Sequence, residues 1–180
     1  DPSAIRSLGK LMPRTGTGGE SVKPRKAGRS GSGELGRQVI GGFGDEWSRF
    51  TNQSLADTEL QEMFDLYATV FPWEELADDA VGFDAGCGSG RWATFFAPRV
   101  GVLHCIDASE AALQVARQTL RGQTNVEFHL QDLCELGLSD ESCDFGYSLG
   151  VLHHIPDTEL ATASCVQKLK PGAPFLVYLY

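Results

Sequence analysis

The 180-residue sequence has no hydrophobic run that approaches the length of a membrane-spanning helix, which needs about 20 apolar residues. It has no charged-then-apolar leader with a small-residue cleavage site, and this argues against secretion. Its five cysteines are odd in number and scattered, without a CxxC pair. This pattern disfavours a disulfide framework or a zinc ribbon and favours free thiols in a reducing compartment. We therefore expect a cytoplasmic protein without membrane attachment.

Basic residues are scarce outside the first 44 positions. That segment holds eight of the 15 Lys and Arg residues, whereas positions 45–180 carry seven against 21 Asp and Glu, a net charge of −14. Because a phosphate backbone is bound through Lys and Arg, so acidic a surface is a poor partner for nucleic acid. A small-molecule substrate is the better expectation.

The first 44 residues also lack a periodic apolar pattern, and they contain 11 of the 21 glycines. Such a segment buries too little surface to offset the entropy lost on ordering. We therefore expect residues 1–44 to form a disordered basic leader. A basic arm that contacts anionic partners and a transit peptide are the functional alternatives.

Residues 45–180 are expected to fold as one domain. Apolar residues at helical spacing predict a lead-in helix over 54–71, and from residue 80 short apolar runs alternate with helical stretches. Strands are predicted over 80–83, 102–106, 126–130, 143–148 and 174–180, with helices over 90–97, 109–120 and 158–169. Strands separated by such helices form βαβ units. The core at 80–180 is thus predicted to be an α/β, Rossmann-like, doubly wound and mostly parallel sheet of about five strands, with helices on both faces.

The last apolar run, FLVYLY, has no following segment that would cover it as an edge strand. Uncovered apolar edge strands promote aggregation. We therefore expect that the chain is a fragment of a longer domain, or that this fifth strand pairs with a second copy or another partner.

A glycine-rich segment, VGFDAGCGSG, leads from the first predicted strand into a helix at Val81 to Gly90. In an open parallel sheet, ligands lie at the carboxyl ends of the strands, and glycines let a ligand approach the backbone. An NAD fingerprint, G-x-G-x-x-G, would place its third glycine at position 91, which is Arg91. The glycines stand instead at 86, 88 and 90, after an acid at Asp84. A carboxylate there suits a positively charged amino-acid ligand better than a pyrophosphate, so the spacing favours S-adenosylmethionine (SAM).

Asp107 ends the second predicted strand, about 20 residues after the glycine turn, the distance at which an acid accepts hydrogen bonds from ribose hydroxyls. Alternatively, Asp107 only caps the helix that follows.

Five segments in chain order resemble successive motifs of class I SAM-dependent methyltransferases: VGFDAGCGSGRWA, LHCIDASEAALQVAR, VEFHLQDLCEL, CDFGYSLGVLHHIPD and LKPGAPFLVYLY. The resemblance covers roughly residues 80–180 and is closest to the type 11 small-molecule group, which includes ubiquinone-pathway-like enzymes. It implies transfer of the SAM methyl group to an O, N or C atom of a small-molecule acceptor. The usual domain continues past the fifth strand with a helix and two antiparallel strands, so we expect a C-terminally truncated domain.

The resemblance also implies cofactor contacts by position. Asp84 matches the acid that holds the turn and the methionine amino group. Asp107 matches the ribose-binding acid, with Ala108 beside the adenine. Asp132 and Leu133 match the pair that contacts adenine through a carboxylate and a backbone amide. The remaining matches are the backbone beneath the cofactor and the strand-four end near the transferred methyl group: Gly86, Cys87, Gly88, Gly90, Ser148, Leu149 and Gly150.

Two histidines, His153 and His154, follow the fourth strand in VLHHIPD. Because an imidazole titrates near neutral pH, either is a candidate general base for an acceptor hydroxyl or amine. Alternatively, they cap the next helix or line the pocket, since methyl transfer from a sulfonium depends mainly on positioning. When His104 or His129 is added, no carboxylate or cysteine stands at ligand spacing, so we expect no metal site.

Two other functions stay open from the residues alone. A non-catalytic module would hold SAM, or a partner along the fifth strand. The second alternative function is that of an NAD-dependent oxidoreductase. Arg91, at the position of the third glycine of an NAD fingerprint, argues against it.

Overall fold

The computed structural model describes residues 57–180. The predicted leader at 1–44 and the beginning of the predicted lead-in helix lie outside the described residues. The strands are β1 (Val81–Ala85), β2 (Val102–Asp107), β3 (Val126–Leu130), β4 (Phe145–Leu149) and β5 (Phe175–Tyr178). The α-helices are α1 (Asp57–Tyr67), α2 (Ala93–Phe96), α3 (Glu110–Thr119) and α4 (Thr158–Lys168). Short 3-10 helices cover Trp73–Glu75, Ala97–Arg99 and Leu152–His154.

The five strands form one sheet in the order β3-β2-β1-β4-β5, and every neighbouring pair is parallel. From β1 the chain moves outward through β2 to β3, then returns to the other side of β1 for β4 and β5. The predicted Rossmann-like α/β fold is therefore confirmed. Its strand order reverses beside β1, and this is where such sheets open a crevice for ligands.

Several predicted boundaries shift by a few residues. β1 extends to Ala85, and β4 begins only at Phe145, because Cys143 makes an isolated bridge to Leu169 in place of a ladder. Helix α3 begins after Ser109, whose hydroxyl accepts the backbone N–H of Ala112 at 3.3 Å. This side-chain cap satisfies a donor that the first turn of a helix leaves unpaired.

Apolar residues pack on both faces of the sheet. On one face, α1, α2 and α3 cover the side chains of β2 and β4, in a core that contains Phe64, Phe96, Leu103, Leu113 and Phe145. On the other face, α4 covers β1 and the end of β2, in a core that contains Phe83, Ile106, Leu152, Ala161 and Cys165. Helices on both faces were predicted, and the structure agrees.

Two phenylalanine–glycine pairs lock β1 against β4. Gly82 is the register partner of Phe145, and Phe83 is the partner of Gly146, so one pair lies on each face of the sheet. A Cβ atom at Gly82 would stand 2.1 Å from the Phe145 ring, and one at Gly146 would stand 2.3 Å from the Phe83 ring. Each ring therefore occupies the space that a side chain on the opposite strand would need. The two pairs position β4 tightly beside β1 at the crevice.

Among the described strands, the edge strand β5 pairs only with β4. Large apolar side chains are exposed on and just after it: Val177, Tyr178, Leu179 and Tyr180. This exposure is in keeping with the expectation that a partner or second copy covers the strand, which stays a prediction.

Among residues 57–180, none of the helices has both the length and the apolar character needed to cross a membrane. All five cysteines of the chain fall in this range, and all are free thiols.

We predict that Gly146→Ala destabilises the fold, because its new methyl group would collide with the Phe83 ring in a closely packed interior. The expected loss in free energy of unfolding is about 1–3 kcal/mol, measured by urea denaturation. Gly122→Ala is the matched control, since nothing lies within 4 Å of a Cβ atom there. Equal stability of the two variants would contradict the interlocking of β1 and β4.

Candidate active site

The glycine turn after β1 lies at the carboxyl end of the sheet, between β2 and β4. Its three glycines, Gly86, Gly88 and Gly90, all have positive φ, of 85°, 53° and 76°. The N–H groups of Gly86 and Cys87 donate to the carbonyl oxygen of Ile106 at 2.8 and 2.9 Å. A side chain at Gly86 would also collide with Val151, since its Cβ atom would stand 2.4 Å from a Val151 methyl group. Glycine is therefore required here both by backbone conformation and by space.

Asp107 ties the glycine turn to the end of β2. Its Oδ2 accepts the N–H of Gly88 at 2.9 Å, and its Oδ1 accepts the N–H of Ser109 at 2.9 Å. Burial raises the pKa of this carboxyl above its ordinary value, and the backbone donors at Ser109, Gly88 and Ala108 oppose that rise. Because an ionised carboxylate offers about four acceptor positions, Asp107 retains capacity for two further donors. It can serve as both a structural tie and a ligand acceptor.

Asp84 is a buried acid with no cation beside it. Its side chain is only 2% exposed, and its Oδ2 has no hydrogen-bond partner among the described residues. Burial raises the pKa of Asp84 to about 8; the nearby Tyr147 hydroxyl lowers it, without forming a well-aligned hydrogen bond, and the charge of Asp107 raises it further. No cationic side chain is among the groups that shift this pKa. At neutral pH the carboxyl is therefore mostly protonated until a positive charge approaches it.

Two further ionisable groups near Asp84, the Cys87 thiol and the Tyr147 phenol, are held in their neutral forms. The pKa of the Cys87 thiol is raised by a hydrogen bond with Cys105 and by burial. Burial and the charge of Asp84 raise the pKa of the Tyr147 phenol. Both groups are therefore neutral at physiological pH, and Cys87 contributes its backbone here and not a nucleophilic thiolate.

The end of β4 lies directly beside the glycine turn. The buried Ser148 hydroxyl donates to the carbonyl oxygen of Ala85 at 2.8 Å, so it ties β4 to β1. Leu149 is 9% exposed and belongs to the core, and the N–H of Gly150 donates to Tyr178 in β5. The sequence predicted these three positions as cofactor neighbours. The structure places them at the carboxyl end of β4, where the Ser148 hydroxyl is hydrogen-bonded to β1.

Asp132 and Leu133 follow β3, one strand farther from the turn. Asp132 is exposed, and its Oδ1 accepts the N–H of Cys134 at 2.9 Å. Leu133 is buried against the core. Since Leu130 is the register partner of Asp107, the chain reaches Asp132 at the carboxyl edge that also holds Asp107. Among the described contacts, however, none joins the Asp132 side chain to the turn.

The histidine pair lies in the 3-10 helix that follows Val151, the residue packed against Gly86. Both ring nitrogens of His153 are buried without a hydrogen-bond partner among the described residues. The His153 ring packs against His154 at 3.9 Å and Tyr180 at 4.2 Å between centroids. His154 Nε2 and the Tyr180 hydroxyl are 3.2 Å apart. His153 is therefore an imidazole whose two buried nitrogens have no hydrogen-bond partner among the described residues.

Aromatic residues that the sequence did not indicate as site residues line the same end of the sheet. Tyr67 of α1 stacks on Tyr178 at 4.6 Å and meets Trp92 edge-on at 5.4 Å. The Arg91 guanidinium lies 4.5 Å from the Trp92 ring, and its Nε is buried without a partner. From sequence, Tyr67 is indistinguishable from other apolar positions of α1, although the tyrosines of VYLY stand at the end of a predicted strand and could have been noted.

Comparison with known proteins agrees with this geometry. A family model described as a methyltransferase domain matches residues 83–177, just over half of the chain. The ubiquinone biosynthesis O-methyltransferase of Alkalilimnicola ehrlichii is 40% identical over 91 residues, which are 49% of this chain and 37% of that protein. Phosphoethanolamine N-methyltransferase 2 of Caenorhabditis elegans is 33% identical over 100 residues, 54% of this chain and 23% of that protein. The YcgJ protein of Bacillus subtilis has a similar solved structure, with a TM-score of 0.57 at 25% identity, covering 68% of this chain and 50% of that one.

The chain spans less than half the length of these two curated relatives. What the family model matches is the stretch from β1 to β5, which contains the glycine turn, Asp107 and the histidine pair. The resemblance in the five sequence motifs is thereby confirmed, and the chain belongs to the methyltransferase-domain family of class I SAM-dependent methyltransferases.

Proposed function

We propose that this chain binds SAM over the glycine turn and directs its methyl group to an O, N or C atom of a small molecule. The observation that carries the proposal is Asp84, a buried carboxyl with an unpartnered oxygen and no cationic neighbour. SAM carries an ammonium group on its amino-acid portion and a sulfonium, and so brings the missing positive charge. A pyrophosphate would bring negative charge to the same place.

The residues around the turn fit the rest of the cofactor. Gly88, whose N–H donates to Asp107, carries no side chain, so a ligand can lie against the backbone there. The unused acceptor positions of Asp107 suit the two ribose hydroxyls. Asp132 and Leu133 follow the neighbouring strand, where the resemblance assigns the adenine. We therefore assign Asp84 to the amino group, Asp107 to the ribose, and Asp132 with Leu133 to the base.

When bound, SAM supplies an electrophilic methyl group on a positively charged sulfur. The chain's own residues then have three tasks: to orient the two reactants, to exclude water and to remove a proton from the acceptor. Holding two reactants in line accounts for a large part of the rate of such a displacement. The rings of Tyr67, Tyr178 and Tyr180 form an apolar wall at the end of β5 that suits the first two tasks.

We assign the third task to His153. Its ring nitrogens are buried and unpartnered, so an acceptor O–H or N–H can donate to one of them. On methylation of the acceptor atom, His153 would take up the proton that this atom loses, while the S–CH3 bond of the cofactor breaks and its electron pair stays on sulfur. His154, which lies against both His153 and Tyr180, holds the ring in place as a positioning residue.

The setting of the reaction is also proposed. Five free thiols favour a reducing compartment, and we propose the cytoplasm. The acidic character of positions 45–180 favours a small-molecule acceptor over nucleic acid.

The cofactor proposal is tested by calorimetric titration with S-adenosylhomocysteine, the demethylated product. We expect the chain to bind it, and Asp107→Asn to weaken binding roughly 10- to 100-fold, because hydrogen bonds to an ionised acceptor are lost. Asp78→Asn is the matched control, since Asp78 is exposed and precedes β1, at the end of the strand opposite the turn. Absence of binding at millimolar product, or tighter binding of NADH, would count decisively against SAM.

His153→Gln is expected to lower methyl turnover about 10²- to 10⁴-fold, the usual contribution of a general base. Turnover is followed with radiolabelled SAM against a panel of phenols and amines. Product affinity should change little, because His153 is assigned to the acceptor. His154→Gln should have a smaller effect. If His153→Gln retains full turnover, the proton leaves by another route and the base assignment fails.

A further inference from the structure

A second group of polar side chains lies on strands β2 and β3, away from the glycine turn. His104 is the register partner of Glu127, and His129 lies two residues beyond Glu127 on β3. Because side chains alternate across a strand, all three project from one face of the sheet, the face that also carries Ile106. The parallel pairing of β2 with β3 thus brings together three residues that are up to 25 positions apart in sequence.

Their donor atoms converge closely. His104 Nδ1 and His129 Nε2 are 3.0 Å apart. Glu127 Oε2 is 3.3 Å from His104 Nδ1 and 3.8 Å from His129 Nε2. One atom from each residue therefore forms a small triangle, with all separations within 4.8 Å.

The size of this triangle matches one face of a zinc coordination tetrahedron. With Zn–N and Zn–O bonds of about 2.0–2.2 Å, neighbouring ligand atoms in a tetrahedron stand roughly 3.3–3.5 Å apart. The three observed separations bracket that range. We propose that His104, Glu127 and His129 form a divalent transition-metal site that takes Zn²⁺. Two imidazoles and one carboxylate select such an ion over Mg²⁺ or Ca²⁺, which prefer oxygen ligands only.

Burial at the site suits an ion with one open position. The His104 and His129 side chains are 16% and 22% exposed, so the surrounding sheet restrains their rings. The Glu127 side chain is 61% exposed, which leaves solvent access on its side. A water molecule can therefore supply the fourth ligand. Without metal, one imidazole donates a hydrogen bond to the other; metal binding requires that proton to reside on the opposite nitrogen of its ring.

A metal ion bound by these three residues would cross-link the edge strand β3 to β2. His129 is the register partner of Ile106, next to Asp107, so the metal would brace the end of β2 that anchors the glycine turn. Any ligand that binds only the folded state raises its stability. The evidence for the metal site does not depend on methyl transfer or on the proposed binding of SAM.

The test begins with the unmodified chain and Co²⁺ as a spectroscopic substitute for Zn²⁺. We expect one equivalent to bind, with visible bands of a four-coordinate ion and no thiolate charge-transfer band. Zn²⁺ should displace the Co²⁺ and shift the imidazole NMR signals of His104 and His129, leaving those of His153 and His154 unmoved. Residues 1–56 contain no histidine or cysteine, so they supply no competing imidazole or thiol.

Variants then assign the ligands. His104→Gln and His129→Gln should each weaken Zn²⁺ binding tenfold or more, and Glu127→Gln about tenfold. Glu62→Gln, an exposed acid on α1, is the control for the carboxylate, and the double variant His153→Gln/His154→Gln is the control for the imidazoles. A thiolate band, ring shifts confined to His153 and His154, or unchanged affinity in the three ligand variants would overturn the proposal.

Discussion

The position of β1 at the centre of the sheet is the constraint on which the site depends. β1 is paired in parallel with β2 on one side and β4 on the other, and the Phe83–Gly146 and Gly82–Phe145 contacts hold the β4 side tightly closed. A residue near the carboxyl end of such a strand is enclosed by the strands on both sides and by the packed faces of the sheet. Asp84 is in this position, opposite Cys105 and Tyr147, and it is therefore removed from water.

The electrostatic character of the site follows from that enclosure. Burial disfavours the charged form of a carboxyl, and Asp84 has no cation to offset the cost. Asp107, one strand over, differs because the backbone N–H groups of Gly88 and Ser109 donate to its carboxylate. The two acids at this edge of the sheet therefore have different roles. Asp107 is hydrogen-bonded and holds the turn, whereas Asp84 has an unpartnered oxygen and no cationic neighbour. A ligand with both an ammonium group and ribose hydroxyls matches both acids.

Sequence patterns were sufficient wherever the determining interactions are local. Alternating apolar and helical periods predicted every strand and the fold, and the glycine spacing predicted the turn that the structure shows with three positive φ values. The boundaries were less accurate, since the isolated bridge at Cys143 and the cap at Ser109 depend on individual contacts.

Contacts between residues that are far apart in the sequence could not be predicted from it. That Tyr180 packs on the histidine pair depends on β5 lying beside β4. Glu127 lies close to His104 and His129 because of the register of β2 with β3. Spacing along the sequence therefore did not indicate a carboxylate at ligand distance from these histidines. The five motifs still indicated the family, because each is a continuous segment that contains one strand of the sheet and the residues next to it.

The central claim is that Asp84 is the counter-ion for a cationic ligand, and proton release on binding tests it most directly. Burial raises the pKa of Asp84 to about 8, so at about pH 7 the carboxyl is mostly protonated before a cationic ligand binds. Binding of S-adenosylhomocysteine, whose ammonium group favours the ionised carboxylate, should lower that pKa and release close to one proton. The number follows from calorimetric heats in buffers of different ionisation enthalpy, and it should fall to near zero in Asp84→Asn. Binding without proton release, or equal release by the two proteins, would contradict the account.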